Sequence, residues 1–340
     1  MDFNNYFETK ISAIELKIES INPIQYGKSR NYFNGHVTKL SPYISRGVIS
    51  TSQVAEIVLA KGFKPFEIES FLKELAWRDY FQQVWIALGD KINHDVKNTQ
   101  EFKHSFLPAK INNGQTGIEG IDQSIQDLYQ TGYMHNHARM YVAGVTCNLA
   151  KCHWSEPAKW MYYHLLDADW ASNALSWQWV AGAFSSKKYF ANQENINKYA
   201  NTNQQNTFLD CSYEALAELD LSIEFDQAAN LNLETVLPEI SSIKIQENFP
   251  TYIYNFYNLD PKWNVVADSN NVLLLEPSFF KKYPVGKNSI DFIISLSKNI
   301  KNIQLFVGEF SDLKSLVGNS TLHFKEHPTT NHYSGVRHER

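Results

Sequence analysis

Cysteine, long apolar runs and glycine-rich nucleotide motifs are scarce or missing in this sequence of 340 residues. Its three cysteines are too few for a disulfide framework or a four-thiolate iron–sulfur cluster, so we expect free thiols in a reducing cytoplasm. No apolar run has the length of a membrane span, and the opening residues MDFNNYFETK lack the apolar core of a signal peptide. We therefore expect a cytoplasmic protein that makes no membrane contact.

Excess charge is also small, since 31 Lys and Arg residues stand against 36 Asp and Glu residues. The resulting net charge of −5 falls on residues 206–340, whereas residues 1–205 are nearly neutral. The acidic last third is unsuited to lie against DNA, but a near-neutral domain can still present a local basic face to phosphates. If the chain has a protein partner, we expect that partner to bind the acidic C-terminal third.

Helical periodicity dominates the first 200 residues, and strands alternate with helices near the C-terminus. The segment FLKELAWRDYFQQVWIAL at 71–88 predicts a helix, whereas WNVVA, VLLLE and IQLFVGEF predict strands. The sequence thus predicts a mainly α protein, in which an all-helical domain is followed by a small α/β C-terminal domain. The predicted boundaries are 1–205 for the helical domain, 206–250 for a linker with a helical segment, 251–326 for the α/β domain and 327–340 for a tail.

Tryptophan is abundant and concentrated in one part of the chain. Seven of the eight tryptophans fall between residues 77 and 179, and five of them lie between 154 and 179. Leu or Phe would supply bulk to an ordinary core, whereas clustered indoles also suit stacking on planar ligands or electron relay. This stretch is therefore the candidate functional region.

Two clusters lie in the first 80 residues. The first cluster consists of Tyr26, Arg30 and the stretch 37–41, which place hydroxyls and free backbone amides at a predicted helix start. Ser41, followed by Pro42, is the predicted N-cap of this helix. The helix dipole favours a phosphate at such a position, and the alternative is a helix cap without a ligand. Glu74, Trp77 and Arg78 share one helix face. The alternative for this second cluster is a solvated ion pair beside a buried Trp.

Two further clusters follow. In the segment MHNHARM (134–140), each histidine taken alone is more often structural than catalytic. Asp167, Asp169 and Asn173 stand in a mainly apolar stretch, where buried carboxylates need partners, and Arg139 is the candidate partner. A metal site is the rival explanation for the two acids, but the stretch lacks the ligand density of a calcium loop, and we expect no metal.

Together the four clusters resemble the FAD-binding domain of the photolyase/cryptochrome family. The closest stretches are TGYMHNHARMYVAG, HWSEPAKWMYYHLLDADWASN and WQWVAG, and the motifs follow the family's order at nearly its spacing over residues 20–200. The resemblance is greatest to photolyases that act on cyclobutane pyrimidine dimers. It implies FAD as the cofactor and DNA containing pyrimidine dimers as the partner.

The resemblance implies a role for each matching residue around the flavin. Asn173 corresponds to the asparagine whose amide faces flavin N5, and the acids at 167 and 169 correspond to those that contact the ring and ribose. Thr38 keeps a hydroxyl usual in the phosphate-binding stretch, whereas Val37 loses one. The implied FAD-binding set is Tyr26, Val37, Thr38, Lys39, Leu40, Ser41, Arg78, Arg139, Asp167, Ala168, Asp169 and Asn173.

The resemblance also implies catalytic and DNA-binding residues. Trp177 and then Trp154 match the first two members of the family's electron relay; with Asn173 and Glu74 they form the implied catalytic set. Trp77 and Trp179 match the two indoles that wedge a flipped dimer. The implied lesion-binding set is Arg30, Glu74, Trp77, Arg78, Asn136, His137, Met140 and Trp179. The branch of the family that repairs the other major ultraviolet lesion has histidines at the positions of Asn136 and Met140. Neither residue is His in this sequence, so the resemblance favours cyclobutane pyrimidine dimers.

The function implied is light-dependent splitting of cyclobutane pyrimidine dimers by electron transfer from photoexcited, reduced FAD. The alternatives are a cryptochrome-like blue-light photoreceptor without repair activity and a helical scaffold that has lost its cofactor. Several departures stand beside the resemblance. The family's N-terminal antenna domain is expected to be missing, and Ala174–Ser176 replaces the usual Asn-Gly-Gly. Phe102 or Phe106 lies nearest to the third relay position, where Trp is usual, and Trp85 and Trp160 are the alternatives for that role.

Overall fold

A computed structural model describes residues 6–239, 242–264 and 266–339. The N-terminal part consists of helices, and the helix predicted at 71–88 is confirmed as α5. The helices up to residue 218 are α1 (Ile11–Glu19), α2 (Pro23–Ser29), α3 (Ser41–Ser45), α4 (Thr51–Ala60), α5 (Glu69–Leu88), α6 (Ala109–Asn112), α7 (Glu119–Thr131), α8 (Asn136–Gly144), α9 (Ser155–His164), α10 (Trp170–Ala181), α11 (Gln193–Ala200) and α12 (Tyr213–Glu218). In the described part of the chain, no helix combines the length and apolarity needed to cross a membrane.

The C-terminal part is a parallel sheet with helices on both faces. Its strands lie in the order β3-β2-β1-β4-β5, and every neighbouring pair is parallel. The elements are β1 (Thr251–Tyr254), β2 (Asn270–Leu275), α13 (Pro277–Lys282), α14 (Lys287–Ser297), β3 (Ile303–Val307), α15 (Phe310–Val317), β4 (Leu322–Lys325) and β5 (Val336–His338). The mainly α class with a small C-terminal α/β part is thus confirmed, while the exact domain boundaries stay predictions.

One strand predicted from the sequence is absent from the described residues, and the segment predicted as a tail contains a strand that was not predicted. WNVVA is not a strand where it is described: the Asn264 side chain accepts a hydrogen bond from the Val266 backbone N–H (3.0 Å), a local turn that competes with pairing. Val265 itself lies outside the described residues. The tail predicted at 327–340 instead contains β5, which pairs with β4. His327 in this segment stacks on Tyr257, with ring centroids 4.1 Å apart.

The sheet and the helical part share one core. Helix α14 lies between them: Phe292 contacts Tyr43 (ring centroids 5.9 Å), and the Ser289 Oγ donates to the Leu165 carbonyl (3.0 Å). The opposite face of the sheet buries Val272 and other apolar side chains against α15 in a second, smaller cluster. Because Ser289 on α14 contacts the residue that directly follows α9, the C-terminal part packs beside the loop that connects α9 to α10.

Candidate functional site

Asp169 is held in place at the start of α10. Its carboxylate caps this helix by accepting from the Ser172 backbone N–H (2.9 Å), where the helix dipole favours negative charge. From α5, Arg78 Nη1 donates to Oδ2 (3.1 Å), and Gln82 Nε2 donates to both carboxylate oxygens (2.9 and 2.8 Å). Arg78 also donates to Ser45 Oγ (2.9 Å). The carboxylate is therefore fixed between two helices, and Arg78 is directed at it.

Asp167, two residues earlier, is paired with α8. Arg139 Nη2 donates to Asp167 Oδ2 (3.1 Å), and Arg139 Nε donates to the Met134 carbonyl (2.9 Å), which orients the guanidinium. Burial opposes the negative charge of Asp167, but Arg139 and Arg78 outweigh that effect and hold its pKa below the usual value, with a smaller contribution from the Ser41 hydroxyl. The partnership of Asp167 with Arg139 expected from the sequence is therefore present.

Several buried polar atoms near the two acids have no hydrogen-bond partner among the described residues: Asp167 Oδ1, Ser172 Oγ, His135 Nε2, and Nε and Nη1 of Arg46. Such atoms cost about 1–3 kcal/mol each unless a ligand or water satisfies them. Burial, reinforced by nearby charge, lowers the pKa of His135 to about 4, so its ring is neutral at pH 7. His135 Nδ1 accepts from the His137 backbone N–H (3.2 Å), which assigns the ring proton to Nε2. The site thus offers a ligand an unpaired acceptor at Asp167 Oδ1.

The loop between the two acids is supported from the C-terminal part. Arg46, fully buried, donates from Nη2 to the Ala168 carbonyl (2.7 Å), and its guanidinium carbon lies 3.5 Å from the centroid of Phe256. Burial lowers the pKa of this guanidinium. The Tyr257 hydroxyl accepts from the Trp170 backbone N–H and donates to the Ala168 carbonyl, both at 3.4 Å. The position of the loop consequently depends on residues 256 and 257.

The stretch predicted to bind phosphates lies beside Asp167. Tyr26 is half-buried against Phe71 (ring centroids 5.1 Å), and burial raises its pKa to about 12. Within residues 37–41, the Thr38 hydroxyl accepts from the Leu40 backbone N–H (3.3 Å), and Lys39 adopts a left-handed φ of 51°. The expectation that Ser41 is an N-cap is wrong, because Leu40 occupies that position and Ser41 is the first residue of α3. The Ser41 hydroxyl therefore does not cap the helix.

The residues predicted for electron relay lie on or next to α9 and α10. Trp177 is buried on α10, and the Asn173 amide is oriented by donation from Nδ2 to the Ala158 carbonyl (2.8 Å). Trp154 is fully buried before α9, and its indole Nε1 donates to Asp95 Oδ1 (2.7 Å). Packing of α9 on α10 brings the two predicted relay residues onto adjacent elements.

Two of the predicted lesion-contacting residues are exposed indoles. Trp77 is 51% exposed on α5 and Trp179 is 43% exposed on α10, which excludes the alternative of a buried Trp at position 77. Aromatic rings connect the two helices: Tyr80 packs on Trp77 (5.6 Å) and stacks on Phe184 (6.5 Å), just beyond the end of α10. Trp179 in turn packs on Tyr189 (6.1 Å). Trp77 and Trp179 each belong to such an aromatic group, and large exposed aromatic side chains are typical of binding surfaces.

The other predicted lesion contacts lie at the end of α2, on α5 and on α8. Arg30 and Glu74 form a partly buried ion pair, which fixes both side chains. Asn136 is exposed at the start of α8, and Met140 is half-buried one turn later. His137 shares a hydrogen bond with the Asn31 carbonyl (3.0 Å), and burial lowers its pKa. Arg78, predicted for both the cofactor and the lesion, contacts Asp169.

Sequence reasoning missed three residues that hold this site together. Gln82 contacts Asp169, Arg46 contacts the Ala168 carbonyl, and Asp95 contacts Trp154. The position of Gln82, one turn after Arg78 on the same helix face, is the only sequence signal that could have revealed any of them. In the described ranges 6–239, 242–264 and 266–339, no three His, Cys, Asp or Glu side chains are grouped so that they could hold a metal ion.

We expect Arg139→Met to destabilise the fold by about 3–5 kcal/mol at pH 7, because Asp167 would be left as a buried charge without its main partner. The folded-state pKa of Asp167 lies below its unfolded value of about 3.9, so the ion pair stabilises the fold above that pH and is lost as the pH falls through the folded-state pKa. Urea unfolding of both proteins at pH 7 and pH 3 should therefore show a large difference that shrinks with acidification.

Arg337→Met provides the matched control for this experiment. Arg337 pairs with Glu326 at 2.7 Å on the surface, with 59% of its side chain exposed, and removal of such a pair costs less than about 1 kcal/mol. Equal effects of the two substitutions at pH 7 would contradict the importance assigned to the Arg139 pair.

Comparison with known proteins identifies the same family that the sequence motifs resemble. Residues 71–258, more than half of the chain, match the family model of the FAD binding domain of DNA photolyase. A deoxyribodipyrimidine photo-lyase of Agrobacterium fabrum is 34% identical over 150 residues, covering 42% of this chain and 31% of that protein. A cryptochrome DASH of Gloeobacter violaceus is 28% identical over 177 residues, covering 48% of this chain and 35% of that protein. The matches thus span roughly a third of the length of these relatives.

A solved structure identifies the type of fold. The cryptochrome of Synechocystis sp. PCC6803 superimposes with a TM-score of 0.51 at 22% sequence identity, covering 57% of this chain and 44% of that chain. The superimposed part of the present chain therefore has the same type of fold as that protein.

Proposed function

Since the chain belongs to the DNA photolyase/cryptochrome family and FAD is the cofactor of its matched domain, we propose that it is a light-dependent DNA lyase that splits cyclobutane pyrimidine dimers. When bound in its reduced form, FAD supplies the photoexcited electron for this reaction. The protein's own residues hold the cofactor, orient the lesion and exclude water.

The buried acids and their partners fit a flavin. An isoalloxazine ring carries an N–H donor, and the site offers it a complementary acceptor at Asp167 Oδ1, a buried oxygen that has no hydrogen-bond partner among the described residues. Asp167 and Asp169 would hold the ring and ribose, and Asn173 would face N5. The phosphates would lie against Tyr26 and residues 37–41, of which Ser41 lies next to Asp167.

The pair of half-exposed indoles, Trp77 and Trp179, is the observation on which the repair proposal rests. A dimer flipped out of the duplex needs stacking partners, and each base stacked on an aromatic ring gains about 1–3 kcal/mol, which offsets the cost of unpairing. The fixed Glu74 carboxylate would accept hydrogen bonds from the bases. Asn136 and Met140, where the other repair branch has histidines, support the cyclobutane dimer as the substrate.

A cryptochrome-like photoreceptor is the second candidate, and contacts to the C-terminal part favour it. Arg46 and Tyr257 connect the loop at 167–169 to the acidic last third of the chain. A change at the flavin could reach an output surface there, to which a protein partner would bind. For either function a reducing cytoplasm would suit the free cysteines, two of which, Cys147 and Cys152, are buried.

The test is repair of an oligonucleotide that contains a single cyclobutane dimer. The reduced protein under blue light should remove the dimer, and the same mixture in darkness should leave it intact. Dimers that persist under light, together with light-dependent protease sensitivity of residues 206–340, would exclude the lyase and support the photoreceptor.

A further inference from the structure

Asp95 is bound to the indole of Trp154 by a short, fixed hydrogen bond. Trp154 Nε1 donates to Asp95 Oδ1 at 2.7 Å, and the second carboxylate oxygen accepts from the Gln100 backbone N–H (2.8 Å). Gln100 is itself held, because its Oε1 accepts from the Trp154 backbone N–H (3.0 Å). The carboxylate and the fully buried indole therefore form one rigid unit.

This unit lies at the wall of a cleft of about 640 Å³ between the helical and C-terminal parts. The cleft is lined in part by Asp95, His153, Lys159 and Tyr283. His153 Nε2 lies 3.5 Å from Asp95 Oδ1, and the Asp95 side chain is 17% exposed. The carboxylate thus connects a buried indole to a cavity that is open to solvent.

The aromatic rings beyond Trp154 are poor electron donors. His153 packs on Trp154 with ring centroids 5.7 Å apart, and Phe102 packs on His153 at 4.8 Å. Phe106, the other ring nearest to the predicted third relay position, packs on His104 (4.8 Å). In the described part of the chain, the ring that packs directly on Trp154 is that of His153, so an electron vacancy on Trp154 has no indole or phenol in ring contact to move to.

We propose that Trp154 is the end of the electron relay and that Asp95 accepts its indole proton when Trp154 is oxidised. The proposal rests on the flavin photochemistry proposed above. A buried indole cation is costly in the interior, and an adjacent carboxylate removes that cost by taking the proton. Oxidised indole is a far stronger acid than neutral indole, so a carboxylate is a sufficient base.

The step balances without another reactant. One electron leaves Trp154 for the oxidised Trp177, and the Nε1 proton crosses the existing hydrogen bond to Asp95 Oδ1. The products are a neutral Trp154 radical and a neutral Asp95 carboxylic acid. On charge recombination the electron and the proton both return, and the starting state is restored.

Transient absorption after a blue flash on the flavin-loaded protein tests the proposal. The wild type should form the neutral Trp154 radical, and the conversion from the cation should slow in deuterated solvent. Asp95→Asn keeps a hydrogen-bond acceptor but is not a base, so the radical should remain cationic and recombine at least about tenfold faster. Asp95→Glu should restore the neutral radical.

Glu156→Gln is the matched control, because it removes a negative charge two residues from Trp154 in the first turn of α9. A second readout needs no light: the Trp154 indole N–H resonance, assigned with Trp154→Phe, should move upfield in Asp95→Asn but not in Glu156→Gln.

The outcomes separate this inference from the proposed function. A neutral radical that forms equally fast in Asp95→Asn, or without an isotope effect in the wild type, overturns the inference alone. A wild type in which no tryptophan is oxidised by light overturns the relay and the inference together. The solvent isotope measurement requires no substitution, so a variant that fails to fold does not prevent a decision.

Discussion

Asp169→Ala is expected to release the flavin from the folded protein. The substitution removes the cap of α10, worth about 1 kcal/mol, and leaves Arg78 and Gln82 without the acceptor that both contact. Breaking a buried charge pair on one side costs about 3–5 kcal/mol, and part of this cost would appear as movement of the loop at 167–169. The flavin-to-protein ratio, read from the absorption spectrum, should fall to near zero.

Two control measurements show whether the loss of flavin in Asp169→Ala results from a change at the site and not from unfolding. Circular dichroism should retain the helical signal, because most of the core lies elsewhere. Asp210→Ala removes a carboxylate that accepts from the Asn206 backbone N–H (2.9 Å) in a loop between α11 and α12, and it should retain a full complement of flavin. Folded Asp169→Ala protein with unchanged flavin content would show that the ring lies elsewhere.

Trp77→Ala and Trp179→Ala are expected to weaken binding of dimer-containing oligonucleotide by roughly 10–100-fold each. This factor corresponds to the loss of about 1–3 kcal/mol of base stacking. Both side chains are about half exposed, so the free energy of unfolding and the flavin content should change little. Fluorescence anisotropy with damaged and undamaged oligonucleotides measures the effect, which should be confined to the damaged one.

Phe66→Ala is the control for these two substitutions, since Phe66 is 74% exposed in the turn before α5. Its affinity for the damaged oligonucleotide should equal that of the wild type. Unchanged affinity in both Trp variants would refute the assignment of these indoles as the residues that stack on the lesion, even if the protein repairs dimers.

Local sequence patterns were sufficient to predict the helices and the charged centre of the site. The stripe at 71–88 folds as α5, and Asp167 pairs with Arg139 as the need to neutralise a buried carboxylate requires. The first prediction depends on the periodicity of a single helix. The second depends on the need of a buried carboxylate for a cationic partner. The exposure of Trp77 followed from the resemblance and not from the periodicity, which fits a buried Trp equally well.

The missed features depend on contacts between distant parts of the chain. Arg46 and Asp95 are ordinary polar residues in the sequence, and only the folded chain brings them to Ala168 and Trp154. Strand β5 is three residues long, and its pairing with β4 defines it more than its own composition does. At WNVVA a strong strand composition was overridden by the side-chain turn of Asn264.

The buried guanidinium between the Ala168 carbonyl and the Phe256 ring has a consequence for how this protein can be divided. A chain ending before residue 251 would expose a cation that is now fully enclosed and would remove the Tyr257 hydroxyl from the backbone at 168 and 170. We therefore expect the helical portion to lose stability when it is produced without residues 256 and 257.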